Sequence, residues 1–263
     1  MRQNDMNAKP SETKSVGKTL AILSTFTPTS PIQRTSDIAA KLGMSISTVS
    51  RHLNTLFDAG FLGRDEKTGC YHLGIRILEL AGVATQESEV YRYSYAELHK
   101  VAFEHNVHCH MAIPHEEDII HLISAQSEST KALFMPMGHR QPMYCTAMGR
   151  AILAYLPHNK ALDILKMSEL KKRTEYTKVT VMEIEQELDR TRRRGYCIIR
   201  EELSQNKASI AAPIFDRYRE PIAAISVSTS MSALNNPERE KELIKVVRSA
   251  SNKISGMLGY FPC

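Results

Sequence analysis

The chain has 263 residues, 42% of them hydrophobic, which exceeds the usual span of one domain and is ample for two packed cores. No run approaches the roughly 18 apolar residues of a membrane span and the polar start lacks a signal-peptide core, so membrane and export classes are set aside and a cytoplasmic location is expected. Five scattered cysteines (Cys70, Cys109, Cys145, Cys197 and Cys263), none in a Cys-x-x-Cys pair, read as reduced thiols, and the net charge of +5 permits a polyanionic partner without demanding one.

Residues 1–14, polar and without an apolar period, read as a disordered tail. Val16, Leu20, Ile22, Leu23 and Phe26 then recur at helical spacing and predict a first helix, ended by the Pro28 to Pro31 stretch. Thr35, Ser36 and Asp37 offer N-cap side chains for a second helix through Ile38, Ala39 and Leu42, with Gly43 able to take positive φ at its end. Ser45 caps a third helix whose apolar stripe is Ile46, Val49, Leu53, Leu56 and Phe57, closing near Gly60. Two helices joined by so short a turn form a helix-turn-helix. Strand-like runs over 61–64 and 70–73, separated by a charged turn containing Gly69, supply a hairpin that serves as the wing.

Ile75, Leu78, Leu80 and Val83 continue at helical spacing into a polar stretch at 85–89. Beyond it, helices are predicted over 91–105, 146–156, 159–166, 181–194 and 238–258, and strands over 107–113, 119–125, 198–199, 209–215 and 222–229. Helices mixed with antiparallel strands make this half an α+β domain.

On the third helix the apolar stripe leaves Ser47, Thr48, Ser50, Arg51, Asn54 and Thr55 facing outward, short hydrogen-bonding side chains and one Arg suited to base edges in a major groove. Ser47, Thr48 and Arg51 are the candidates for direct readout. Thr35, Ser36 and Ser45 present hydroxyls at helix N-termini to phosphates, and Arg64 and Lys67 extend from the wing. Residues 1–80 carry ten Lys/Arg against seven Asp/Glu, a bias that suits phosphate contact. His52 borders the apolar stripe and reads as a structural, partly buried imidazole.

The run TSDIAAKLGMSISTVSRHLNTLFDAGFLGRDEKTGCYHLGIRILELA resembles the DNA-binding domain of the IclR family of regulators. QPMYCTAMGRAILAYLP and RRRGYCIIREELSQNKASIAAPIFDRYREPIAAISVS resemble the opening helix and closing strands of that family's sensor domain, and the likeness runs from Ser15 nearly to the end. The resemblance implies a GAF-like effector-binding domain, dimers or dimers of dimers on double-stranded DNA, and control of neighbouring operons. It divides the chain into the tail, a winged helix-turn-helix over 15–75, a linker helix over 76–89 and an effector-binding domain over 90–263. A ligand-responsive regulator without enzymatic activity and without a cofactor is the expectation.

Within the sensor half, Thr146, Ala147 and Met148 open a helix with free backbone N–H groups that can accept a carboxylate. An ordinary capped helix explains the same residues, and the resemblance is what favours an effector site. Ser209, Ser226 and Ser228 alternate on strands and can share one face. The family commonly carries an acidic residue where Ile199 stands and Gly where Asn206 stands. With Met135, Met137, Met143 and Met148 nearby, this points to a carboxylate with an apolar or aromatic body, core packing being the alternative for the methionines.

Two features admit other classes. His108 and His110 share a strand face as a possible metal pair, though nothing nearby completes a coordination set, and no metal is expected. Cys145 before the helix start offers a thiol of lowered pKa, hence a redox sensor or thiol enzyme, although no paired nucleophile and base motif accompanies it. The basic clusters at 171–173 and 190–194 read as solvated helix ends.

Overall fold

A computed structural model describes residues 15–126 and 135–261. The expected tail over 1–14 and Cys263 lie outside them. The chain divides into two compact units between Glu87 and Ser88.

The first unit carries α1 (Ser15–Leu23), β1 (Ile32–Gln33), α2 (Thr35–Leu42), α3 (Ile46–Asp58), β2 (Leu62–Arg64), β3 (Tyr71–Leu73) and α4 (Ile75–Glu87). Its core joins Ile22, Ile38, Val49, Leu53, Leu56, Leu62 and Tyr71. Gly43 closes α2 in the left-handed conformation that glycine takes without a Cβ penalty. Ser45 caps α3 by accepting a hydrogen bond from the Thr48 amide. The cap of α2 differs from expectation: Arg34 holds that position with no side-chain hydrogen bond, and Thr35 lies inside the helix. The stripe on α3 is also narrower, because Ile46 and Phe57 are exposed at its two ends. The three strands pair antiparallel in the order β1-β3-β2. Asp65 locks the β2–β3 turn by accepting from the Thr68 amide and hydroxyl, both at 2.7 Å.

The second unit begins with α5 (Glu89–His105), β4 (His108–His115) and β5 (Asp118–Ala125), and continues with β6 (Arg140–Pro142), α6 (Ala147–Leu153), α7 (His158–Met167) and α8 (Val181–Arg194). It ends with β7 (Cys197–Arg200), β8 (Lys207–Phe215), β9 (Pro221–Ser230), α9 (Met231–Leu234) and α10 (Pro237–Met257). β6 and α9 have too few residues to show a period, so neither was visible as a pattern. The six strands form one antiparallel sheet in the order β6-β5-β4-β9-β8-β7.

Alternation along the strands sorts side chains to two faces. On one face Ile210, Ala212, Ile214, Ile225 and Val227 pack under α5 and α10. The other face carries Ala211 and Ala224 beneath α6 and α8. Gly149 lets α6 pack closely against the segment that leads into it: a Cβ there would lie 2.3 Å from the Met143 Cα and 2.5 Å from its carbonyl oxygen. Arg150, fully buried on α6, forms a bidentate pair with Glu202 at 2.8 and 2.6 Å, and its Nε donates to the Tyr144 carbonyl at 2.6 Å. The pair ties α6 to the β7–β8 connection.

Since the obstacle at Gly149 is backbone, Gly149→Ala is expected to cost at least about 1–3 kcal/mol of stability by overpacking. The denaturation midpoint of the full chain measures it, and an unshifted midpoint would contradict the close approach.

Candidate DNA-reading face and effector cavity

None of the candidate DNA contacts is buried: Ser36, Ser45, Ser47, Arg51, Asn54, Arg64 and Lys67 are exposed, and Thr35, Thr48 and Ser50 are half-buried. Several already have internal partners. The Ser45 hydroxyl donates to Thr48 Oγ1 at 2.8 Å as well as capping α3, and lies 3.1 Å from Ser47 Oγ. Asn54 Oδ1 accepts from the Tyr71 hydroxyl at 3.1 Å, which fastens α3 to the wing. Arg64 lies over the Tyr71 ring, 5.5 Å from its centroid. Arg51 is exposed and its guanidinium makes no hydrogen bond or ion pair among the described residues, which leaves it available. At the start of α2 the first amides bonded to the Arg34 carbonyl are those of Asp37 and Ile38. The Thr35 and Ser36 amides therefore stand at the open end of the helix, where an anion is favoured.

His52 is buried, with Thr19 Oγ1 2.8 Å from its Nδ1, and burial, with Arg51 and Lys18 near it, lowers its pKa. It is the structural imidazole that its place beside the stripe suggested.

In the second unit a cavity of about 360 Å³ opens between the sheet and the start of α6. Met135, Thr146, Ala147, Met148, Ile199, Ser209, Ser226 and Ser228 all line it. Cross-strand register explains the convergence, since Ser209 pairs with both Ile199 and Ser228 across the sheet. Met137 does not reach the cavity. It occupies a tight turn closed by the His139 amide on the Pro136 carbonyl, with Gly138 at positive φ, and its side chain is left exposed. Met143 is core rather than lining. Asn206 adopts the left-handed conformation, φ 58°, for which Asn is the best non-glycine substitute.

Thr146 is the N-cap of α6, accepting from the Gly149 amide at 3.2 Å and donating to the Pro142 carbonyl at 2.8 Å. Among the described residues no acceptor meets the Ala147 and Met148 amides. Cys145 corrects its expectation: burial pushes the thiol pKa up, the Arg173 guanidinium opposing only in part. Arg173, expected as a solvated helix end, instead lines the cavity beside the Cys145 and Tyr144 side chains.

Sequence reasoning missed Arg173, Lys207, Gln141, His121 and the cavity role of His110. Lys207 was legible by alternation, two positions before Ser209. Arg173 comes from an irregular segment after α7 and carries no such signal. His110 pairs in register with Ser226, and its ring meets His121 edge-on with centroids 5.7 Å apart. Burial, with His121 and His108 adding to it, lowers the His110 pKa to about 3. Among the described residues no group of three His, Cys, Asp or Glu side chains is arranged to hold a metal, and no helix is long and apolar enough to cross a membrane.

Comparison with known proteins joins the two units. Residues 83–256 match the family described as the bacterial transcriptional regulator IclR C-terminal domain, and residues 15–66 match the IclR helix-turn-helix domain. The HTH-type transcriptional regulator KdgR of Escherichia coli is 28% identical, with 99% of this chain and 98% of that protein aligned. The glycerol operon regulatory protein of Streptomyces coelicolor is 32% identical over 85% of this chain and 88% of its own. An IclR homologue from Microbacterium hydrocarbonoxydans, solved as a complex with 4-hydroxybenzoate, shares the fold with a TM-score of 0.82 at 20% identity, covering 93% of this chain and 99% of its own. With both domain matches in order along one α+β chain, the protein belongs to the IclR family of bacterial transcriptional regulators and is a DNA-binding regulator.

Proposed function

We propose that the cavity of the second unit takes a small carboxylate, and that this ligand alters the affinity or activity of the protein on its operator. The observation that carries the reading is the charge of the cavity wall: Arg173 and Lys207 line it, and no Asp or Glu among the described residues does. Two cations facing a largely apolar space favour an anion, because charge there is poorly screened by water. The carboxylate is assigned to Arg173 and the Ala147 and Met148 amides, and its body to Met135, Met148, Ile199 and Leu203. Ile199 adds an apolar wall, which suits an apolar or aromatic body over a very small 2-oxo acid. The 4-hydroxybenzoate bound by the Microbacterium homologue is a carboxylate of this class.

In the first unit, Ser47, Thr48 and Arg51 read bases, while Thr35, Ser36, Ser45, Ser50, Asn54, Arg64 and Lys67 hold phosphates or orient α3. The protein acts as a homodimer or a dimer of dimers on a pseudo-palindromic site. Exposed Val16 and Leu20 on α1 and Ile75, Leu78 and Val83 on α4 supply apolar surface for a second copy. The regulator works in the cytoplasm and catalyses no reaction. The upward shift of the Cys145 thiol argues against a redox or nucleophilic role for it.

Arg51→Ala is expected to weaken operator binding by about 1–3 kcal/mol and relax preference at one position per half-site, with half-sites about one helical turn apart. Quantitative footprinting measures both, and wild-type affinity in the variant or a single asymmetric half-site would contradict the assignment. For the cavity, calorimetry with benzoate is expected to give binding that Arg173→Ala weakens and Met148→Asp abolishes. Tighter binding of glyoxylate or pyruvate than of any aromatic carboxylate would refute the apolar-body reading.

A further inference from the structure

A second polar feature of the cavity remains unexplained by a carboxylate. His110 and His121 both line it, both are at least nine-tenths buried, and each leaves its Nδ1 without a hydrogen-bond partner among the described residues. A buried polar atom left unpaired carries the full cost of its lost hydration, so an empty position of this kind points to a missing partner. His121 Nε2 lies 3.0 Å from Gln141 Oε1. The amide of Gln141 can face His121 with its oxygen or its nitrogen, so neither ring is held to one tautomer. A hydroxyl suits both rings in either tautomer because it both donates and accepts, whereas a carboxylate is repelled wherever Nδ1 is a bare lone pair.

The rest of the sheet face favours the same chemistry. From β5 to β8 the strands present His121, His110, Ser226 and Ser209 to the cavity, a band of uncharged hydrogen-bonding side chains. Burial disfavours the charged form of both imidazoles, so the pair offers no cation for a second acid group. Of the two cations of the cavity, Arg173 comes from the segment after α7 and Lys207 from the first position of β8, at the end of the band.

We propose that the effector is a hydroxylated carboxylate, its hydroxyl read by the His110–His121 pair. The inference rests on the carboxylate reading of the same cavity and adds the group that discriminates among carboxylates. A site built to pair a hydroxyl rejects the analogue lacking it far more strongly than an apolar pocket rejects a change of size, because the imidazoles are then left unpaired again.

The test uses matched ligands on the full chain: 4-hydroxybenzoate against benzoate, and 3-(4-hydroxyphenyl)propanoate against 3-phenylpropanoate, each titrated by calorimetry into wild type, His110→Phe, His121→Phe and Arg173→Ala. In at least one pair the hydroxylated member is expected to bind ten-fold or more tighter to wild type, with the advantage falling to near unity in a histidine variant. Arg173→Ala should weaken both members of the pair alike. Should a histidine variant fail to fold, the ring ¹⁵N resonances of His110 and His121 in wild type give the answer, since they should move with the hydroxylated member at saturation and not with its partner. Equal affinity within both pairs, a hydroxyl preference that survives both histidine substitutions, or unmoved resonances would overturn the inference and leave the carboxylate reading standing. Absence of binding by all four ligands would remove the carboxylate reading and the inference together.

Discussion

The bidentate pair between Arg150 and Glu202 is the constraint around which the sensor half is arranged. Arg150 has no exposed surface, and its carboxylate partner is nearly as deeply buried. Two charges taken out of water regain their hydration only through close pairing and full hydrogen bonding. Both conditions hold here: Arg150 Nε meets the Tyr144 carbonyl, Lys178 Nζ reaches the Glu202 carboxylate at 3.1 Å, and the Lys178 amide donates to its other oxygen at 3.3 Å. Burial raises the Glu202 pKa, but Arg150 and Lys178 outweigh it and hold the carboxyl below its ordinary value.

The cavity follows from that anchorage. Arg150 fixes the first turn of α6, whose other residues, Ala147 and Met148, form one wall. Glu202 fixes the β7–β8 connection, which delivers Leu203, Ser204 and then Lys207 to the opposite side. Thr174 and Thr177 bind the same connection through the carbonyls of Glu201 and Glu202, and so hold the segment that carries Arg173. A single buried pair thus links three separate stretches of chain that contribute lining residues, and Gly149 lets α6 lie close against the Met143 backbone that leads into it.

Legibility in the sequence tracked how local each feature is. The helix-turn-helix was readable because caps, apolar spacing and turn glycines lie within a few residues of one another, as at Gly43, Ser45 and Gly69. Ser209, Ser226 and Ser228 were readable because strand alternation is strict. The cap of α2 was misplaced by one residue, since Arg34 takes the position without the side-chain bond that Thr35 and Ser36 advertised. Arg173 and the His110–His121 contact depend on sequence-distant segments meeting, and no spacing encodes that. Met137 failed for the opposite reason: its composition suited a pocket, but a tight turn with Gly138 directs it outward. Arg150 carries no signal of its own in the sequence, and only the depth of α6 in the fold gives it a partner.

The account's central claim is that the buried pair holds the effector cavity together, and a double-mutant cycle tests it directly. Glu202→Leu is expected to cost about 3–5 kcal/mol of stability because it leaves the buried Arg150 charge unpaired, and Arg150→Met to cost less than that, because Lys178 still meets the Glu202 carboxylate. The double variant replaces the pair by apolar side chains of similar size and should lose less than either single, with benzoate affinity following the same order. Lys178 keeps a partner in that variant, since Glu187 lies 3.7 Å away. Losses from the two single substitutions that simply add in the double variant would contradict the claim.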